Sequence, residues 1–322
     1  MLIFLMNSTV LLILILMSMI WVCPVFAGKP DAFYPPLSVN TQSLRDTVEY
    51  LSTLDPPRSY NHIESVEKVS EYIFNKMNSS GLKPEYQEIS VMGNRYRNII
   101  AHIGPVNAPV IIIGAHYDVA GDQPGADDNA SAVSGLLEAA RLLFPYRERL
   151  KVRISFISWC LEEPPFFGTK EMGSYFHAKS LFYSDRDILG AISLEMIGYY
   201  IEEPASQKYP VGLMKAFYPE KGNFIAVVGN LKSGPLVKKL KKHMRHASID
   251  VISVIAPGFF GGISLSDHRN YWKFGYKAAM ITDTAFFRNP NYHLKSDTAD
   301  TLNFDMMGEV IKGVVWALLN ME

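Results

Sequence analysis

Short, β-branched, almost wholly apolar runs separated by longer helical patterns constrain what this chain can fold into. Val110-Ile-Ile-Ile-Gly-Ala115 contains no polar side chain, and Ala191–Leu194 and Ala278–Thr282 are nearly as apolar. A half-exposed strand alternates polar and apolar residues, whereas a continuous apolar run reads as a strand covered on both faces. Further strand-like runs are Arg97–Ile103, Val152–Trp159, Asn223–Val228 and Val251–Ile255. Helical periodicity marks Thr41–Thr53, His62–Met77, Ala130–Phe144, Thr169–Phe182, Pro235–Ala247, Tyr271–Phe274 and Asp305–Leu319. Strands alternating with helices predict an α/β fold, with a mixed, largely parallel central sheet and helices on both faces.

Residues 39–322 read as a single domain, because neither an internal repeat nor a low-complexity linker interrupts them. Residues 28–38, rich in Pro and aromatics, form an extended lead-in. Residues 1–27 differ. Val10–Val22 is nearly all apolar and runs into Pro24-Val-Phe-Ala27-Gly28, which places a small residue where a signal peptidase cuts. Cleavage after Ala27 leaves Gly28 as the mature N-terminus. No Lys or Arg precedes the run, and Leu2–Val22 approaches the length of a bilayer span, so an uncleaved anchor is the alternative. Both readings export the globular part to the periplasm or beyond, and membrane contact is expected only through this segment if it is retained. Of the two cysteines, Cys23 and Cys160, cleavage removes the first, so no internal disulfide then supports the fold. Lys plus Arg number 31 and Asp plus Glu 32, so no field of one sign draws the chain to nucleic acid.

In open α/β sheets, sites form beyond the carboxyl ends of the strands. Polar residues stand at several such exits. Val110–Ala115 delivers His116-Tyr-Asp118, which suits a metal ligand and a carboxylate that fixes its tautomer. Gly125-Ala-Asp127-Asp128-Asn-Ala-Ser131 leads into a helix; one Asp there makes an ordinary N-cap, but two exceed what a cap needs. Val152–Trp159 runs out into Cys160-Leu-Glu162-Glu163-Pro-Pro165, and Ala191–Leu194 delivers Glu195. Beyond Ala278–Thr282 a loop carries Tyr292-His293-Leu-Lys-Ser-Asp297. Each feature has a bland account as a cap, a surface acid or a packed histidine. Gathered at one sheet edge, so many acids would repel one another without cations. Donors of His and carboxylate, with no Cys, disfavour structural zinc and suit a two-metal hydrolase.

In order along the chain, His116-Tyr-Asp118, Gly-Ala-Asp127-Asp128-Asn-Ala-Ser, Glu162-Glu163, Glu195-Met-Ile-Gly, Ser266-Asp267-His268 and Tyr292-His293-Leu-Lys-Ser-Asp297-Thr resemble peptidase family M28, the zinc aminopeptidases. The resemblance extends over about residues 40–320, and Arg58-Ser-Tyr-Asn-His62 and Arg97-Asn-Ile-Ile-Ala101 belong to it as well. It implies two zinc ions per chain. Asp128 would bridge them, with His116 and Glu195 completing one site and Glu163 and His293 the other. Glu162 would be the general base and acid, and Asp118 would orient His116. The implied substrate is a peptide or a small amine with a free N-terminus.

Two departures stand out. Glu195 occupies a position usually held by Asp. No Tyr stands in Gly261-Gly-Ile-Ser-Leu265, where some members place an oxyanion donor, which leaves that role to another donor such as Tyr271 or Tyr292, or to the metal alone. Two other readings share the fold: a single-zinc acyltransferase of the glutaminyl cyclase type, and a binding protein without catalysis. The paired Asp127-Asp128 and both histidines favour hydrolysis. Lys238-Lys-Leu-Lys-Lys242 with Arg245 reads as a solvated helix face. His62, His102, His177, His243, His246 and His268 read as structural or surface residues.

Overall fold

The structure is a computed structural model that describes residues 32–322. The expected signal peptide or anchor, residues 1–27, lies outside them, and so does Cys23. Among the described residues no helix is long and apolar enough to cross a membrane.

Eight strands form one sheet: β1 (Glu85–Val91), β2 (Asn94–Ile103), β3 (Val110–His116), β4 (Arg153–Trp159), β5 (Ile188–Glu195), β6 (Phe224–Gly229), β7 (Asp250–Ile255) and β8 (Ala278–Thr282). Their spatial order is β1-β2-β4-β3-β5-β8-β6-β7. The central strands β4, β3, β5 and β8 run parallel, as do β6 and β7. Antiparallel pairings occur between β1 and β2, β2 and β4, and β6 and β8. The sheet is therefore mixed and mostly parallel, as the continuous apolar runs predict. Strand β1 was not legible as a strand: on the sheet edge, Glu85 and Glu88 are exposed and Tyr86 and Gln87 half-buried, so these residues carry no buried alternation.

The helices are α1 (Thr41–Ser52), α2 (Ile63–Ser79), α3 (Ala132–Leu143), α4 (Gly173–Phe182), α5 (Gly234–Met244), α6 (His268–Lys273) and α7 (Phe304–Leu319). Side chains alternate across β3: Ile111, Ile113 and Ala115 join one core, and Val110 and Ile112 the other. The first core takes Leu136 from α3, Leu240 from α5 and Val314 from α7. The second, smaller core takes Ala178 from α4 and Tyr271 from α6. Each face thus buries one side-chain set of every central strand, which explains why those strands lack polar positions. Helix α4 begins at Gly173, later than the expected Thr169, since Met172 before it has the extended ψ of 137°; Gly173 itself packs against Cys160 and Asn98 with no room for a Cβ.

The second face holds a pH-sensitive pair. His177 Nδ1 lies 2.7 Å from the Tyr271 hydroxyl, and burial, with nearby His102, pushes its pKa down to about 3 from 6.5. Burial, Arg153 and Arg186 push His102 down to about 4. The unfolded chain therefore binds more protons between pH 6.5 and these depressed values. Stability that is complete above pH 6.5 is lost as pH falls toward 4 and then 3. In denaturant melts of metal-free protein, wild type should lose on the order of 3 kcal/mol relative to His177→Gln as pH falls through that window, since the difference between the two isolates this histidine from the other titrating groups.

Candidate metal centre

The four central strands end on the same edge, and each exit contributes to one cluster. β3 ends on His116 itself, and β5 on Glu195. β4 ends at Trp159, and its exit turns through Leu161, whose φ of 59° is in the left-handed region, into Glu162 and Glu163. Met196, immediately after Glu195, and His293 are also left-handed, with φ of 49° and 56°. Such backbone is uncommon outside glycine and gathers at functional sites. Asp127 and Asp128 lie in an irregular turn, Ala126–Ser131, that precedes α3, so the expected helix start at Ala130 falls inside it.

Asp128 stands at the middle of the cluster. Its Oδ1 is 3.5 Å from His116 Nε2, and its Oδ2 is 3.1 Å from His293 Nε2. His116 Nε2 is also 3.4 Å from Glu195 Oε1, and His293 Nε2 is 3.3 Å from Glu163 Oε2. Two donor trios result, His116–Asp128–Glu195 and Asp128–Glu163–His293, each with ligand atoms within 4.8 Å of one another. One carboxylate belongs to both. The five residues named from the sequence are thus brought together, two histidines on opposite sides of one acid.

The donors also fit a metal chemically. Asp128 Oδ1 and His293 Nε2 are buried and have no hydrogen-bond partner among the described residues. Buried polar atoms are rarely left so in a finished structure. His116 Nδ1 is 3.5 Å from Asp118 Oδ1, which directs Nε2 toward the cluster. Burial disfavours a charged His293, yet Asp128 and Glu163 raise its pKa to about 10. Burial pushes the Glu163 carboxyl up to about 7, with Asp128 adding to the shift. These groups are poised against one another in the way that a cation between them would relieve.

Glu162 belongs to neither trio of the bridged pair. Its Oε2 is 3.9 Å from His116 Nε2, and a further possible trio joins it to His116 and Glu163. Burial raises its carboxyl well above the ordinary range, with the positive His116 opposing and Glu195, Asp267 and Glu163 reinforcing the rise. Asp118 does more than face His116. Its two oxygens accept hydrogen bonds from the Glu162 and Glu163 backbone N–H groups, each at 3.0 Å.

Several supporting residues carried no role in the sequence reading. Asp297 accepts from the Asp127 and Asp128 N–H groups at 2.9 and 3.1 Å. Asn129 accepts from Met196 N–H and donates to the Leu194 carbonyl, which ties the Asp128 turn to the end of β5. Ser266 donates to Glu195 Oε2 at 2.7 Å and is backed by Ser193 at 2.8 Å. That bond occupies one oxygen of Glu195 and leaves Oε1 for the cluster. Ser266→Ala should lower metal affinity about 10–100-fold without unfolding the protein, as read by competition with a chelating dye.

The structure corrects one expectation. Tyr271 cannot serve as an oxyanion donor, because it is fully buried and its hydroxyl is 2.7 Å from His177 Nδ1. Tyr292 stacks on His293, with ring centroids 3.9 Å apart. Burial raises its phenol pKa, and Asp128, Glu163, Glu195 and Glu162 add to the rise, so it remains a protonated donor beside the cluster. His268 is buried, donates from Nε2 to the Ile263 carbonyl at 2.6 Å and packs edge-on against Trp272, in keeping with a packing role.

A sequence model of peptidase family M28 matches residues 98–317. The uncharacterized protein YfbL of Escherichia coli (strain K12) is 45% identical, with 88% of this chain and 90% of that protein covered. Leucine aminopeptidase 1 of Sclerotinia sclerotiorum (strain ATCC 18683 / 1980 / Ss-1) is 27% identical over 65% of this chain, which spans only 52% of that relative. Among solved structures, the LapA aminopeptidase of Legionella pneumophila superposes with a TM-score of 0.68 at 21% identity, covering 87% of this chain and 72% of LapA. A glutaminyl cyclase from Bacteroides thetaiotaomicron gives 0.65 at 20% identity, covering 89% of this chain and all 100% of the cyclase. Structures this distant share the fold, and the fold serves more than one reaction.

Proposed function

The chain belongs to peptidase family M28, and we propose from that premise that it is a two-zinc aminopeptidase that removes apolar N-terminal residues from peptides. The observation that carries this reading is the position of Asp128, with one oxygen toward His116 and the other toward His293. A single-metal acyltransferase has no use for two complete donor trios around one carboxylate.

His116, Asp128 and Glu195 would hold one ion, and Asp128, Glu163 and His293 the other. A divalent pair supplies Lewis acidity there, which polarises the scissile carbonyl and lowers the pKa of the attacking water. Glu162 acts as general base: its buried carboxylate takes a proton from the water and passes it to the leaving amine. Asp118 fixes the Glu162 backbone and faces His116 Nδ1, so both groups are set before substrate arrives. Tyr292 donates its hydroxyl to the oxygen that gains charge as the carbonyl is attacked. The acids of the cluster attract a free α-ammonium group, which directs cleavage to the first peptide bond.

A cavity of about 90 Å³ opens beside Glu195, with Met214, Val228, Phe260, Ile263 and Met280 among its walls. Such walls select an apolar side chain. The lining admits both aliphatic and aromatic side chains. Burying a Leu side chain is worth about 1.5–3 kcal/mol, equivalent to roughly 10–100-fold in kcat/KM over Gly.

The test is a panel of aminoacyl-anilides assayed on zinc-loaded protein. Leucyl and methionyl substrates should be cleaved, aspartyl and N-acetyl-leucyl substrates should not. Cyclisation of N-terminal glutamine without anilide hydrolysis, on protein carrying one zinc, would instead assign the acyltransferase reaction.

A further inference from the structure

Arg58 is fully buried and forms no ion pair among the described residues. Its guanidinium is spent on main-chain carbonyls: Nε donates to Tyr117 at 2.9 Å, Nη1 to Leu51 at 2.9 Å and to Pro124 at 2.5 Å, and Nη2 to Gly125 at 2.6 Å. Those carbonyls belong to three elements. Leu51 lies in the last turn of α1; Tyr117 sits between His116 and Asp118; Pro124 and Gly125 lead into Asp127 and Asp128. The contact with Gly125 is flush. That residue has a φ of +62°, and a Cβ there would collide with the Asp128 carbonyl and with Arg58 Nη2. Burial lowers the pKa of Arg58 only to about 10, with Asp297, Asp128, Asp118 and Glu163 opposing the shift, so it stays charged at neutral pH.

We infer that Arg58 is the positioning residue that sets the His116 and Asp128 loops at metal-binding separation before any metal arrives. The inference rests on the two-zinc reading above. Its geometry makes the two ions unequal. The His116–Asp128–Glu195 trio has two of its three donors directly beside carbonyls that Arg58 holds, whereas Asp128–Glu163–His293 has one directly and Glu163 only through the bond from its N–H to Asp118. Loss of the guanidinium therefore weakens the first site more than the second. A lysine keeps the charge but brings one nitrogen to four carbonyls, so it cannot span both loops.

The experiment measures zinc per chain and the affinity of each ion at buffered free zinc, for wild type, Arg58→Lys and Arg58→Ala. Wild type should hold two. Both variants should bind the ion of the His116 trio at least about tenfold more weakly, and millimolar guanidinium should restore it in Arg58→Ala but not in Arg58→Lys. Two ions of wild-type affinity in both variants would overturn the inference. So would equal weakening of both ions that only follows a fall in Tm, with no guanidinium rescue. Hydrogen exchange on metal-free wild type settles the point even where the variants fail to fold. Amides of residues 116–128 should be as protected without zinc as with it; protection that appears only on zinc addition refutes the clamp. Wild-type protein that takes up fewer than two zinc ions, with those amides already protected, leaves the clamp standing and refutes the two-zinc reading.

Discussion

Glu162→Gln should reduce kcat by about 10²–10⁴-fold while the zinc content stays at the wild-type level. Gln has the same shape but cannot accept a proton from the attacking water. The Glu162 backbone stays anchored, since Asp118 accepts its N–H at 3.0 Å whatever side chain follows. The loss should appear in kcat and kcat/KM together, because the proton transfer belongs to the transition state and not to substrate binding. Glu162 also lies within possible ligand distance of His116 and Glu163. Loss of zinc alongside activity in this variant would make Glu162 a ligand and leave the reaction without its assigned base.

Asp128→Asn should remove at least one ion, weaken the other, and abolish measurable two-metal turnover. The carboxylate presents one oxygen to each histidine. An amide keeps one acceptor oxygen and turns the other position into an N–H donor, which faces a histidine nitrogen and cannot ligate. The effect should be larger than that of any other carboxylate substitution, since Glu195→Gln or Glu163→Gln touches only one of the two trios that Asp128 joins. The backbone bonds from Asp127 and Asp128 N–H to Asp297 do not involve the replaced side chain, so Tm in the presence of a chelator should stay near that of wild type. A variant that keeps two zinc ions at wild-type affinity would show that the two trios do not share Asp128 in solution.

The strands that carry the site were legible because they are buried on both faces. Ile111, Ile112 and Ile113 had to be apolar whichever way they pointed, and the polar residue that ends such a run is conspicuous. His116 and Glu195 are the last residues of β3 and β5. Strand β1 was missed because Glu85–Glu88, its first four residues, are exposed or half-buried and show no alternation, whereas the other edge strand, β7, buries Val251, Ser253 and Ile255. The supports of the site were illegible for a different reason. Arg58 reaches carbonyls up to 67 positions away, Ser266 meets Glu195 across 71, and Asp297 meets Asp127 across 170. Nothing local in the sequence marks a serine as the partner of a distant acid or an arginine as the partner of distant carbonyls. The same limit separated Tyr271 from Tyr292. Both are tyrosines near the motif residues, and only the fold shows that one hydroxyl is spent on His177 while the other ring lies over His293.

Anomalous diffraction at the zinc edge, from crystals of the wild-type protein grown with zinc, addresses the bridging role of Asp128 most directly. Two peaks about 3.5–4 Å apart, one on the His116 and Glu195 side of that carboxylate and one on the Glu163 and His293 side, are the predicted result. A single peak, or two peaks that do not share Asp128, would contradict it.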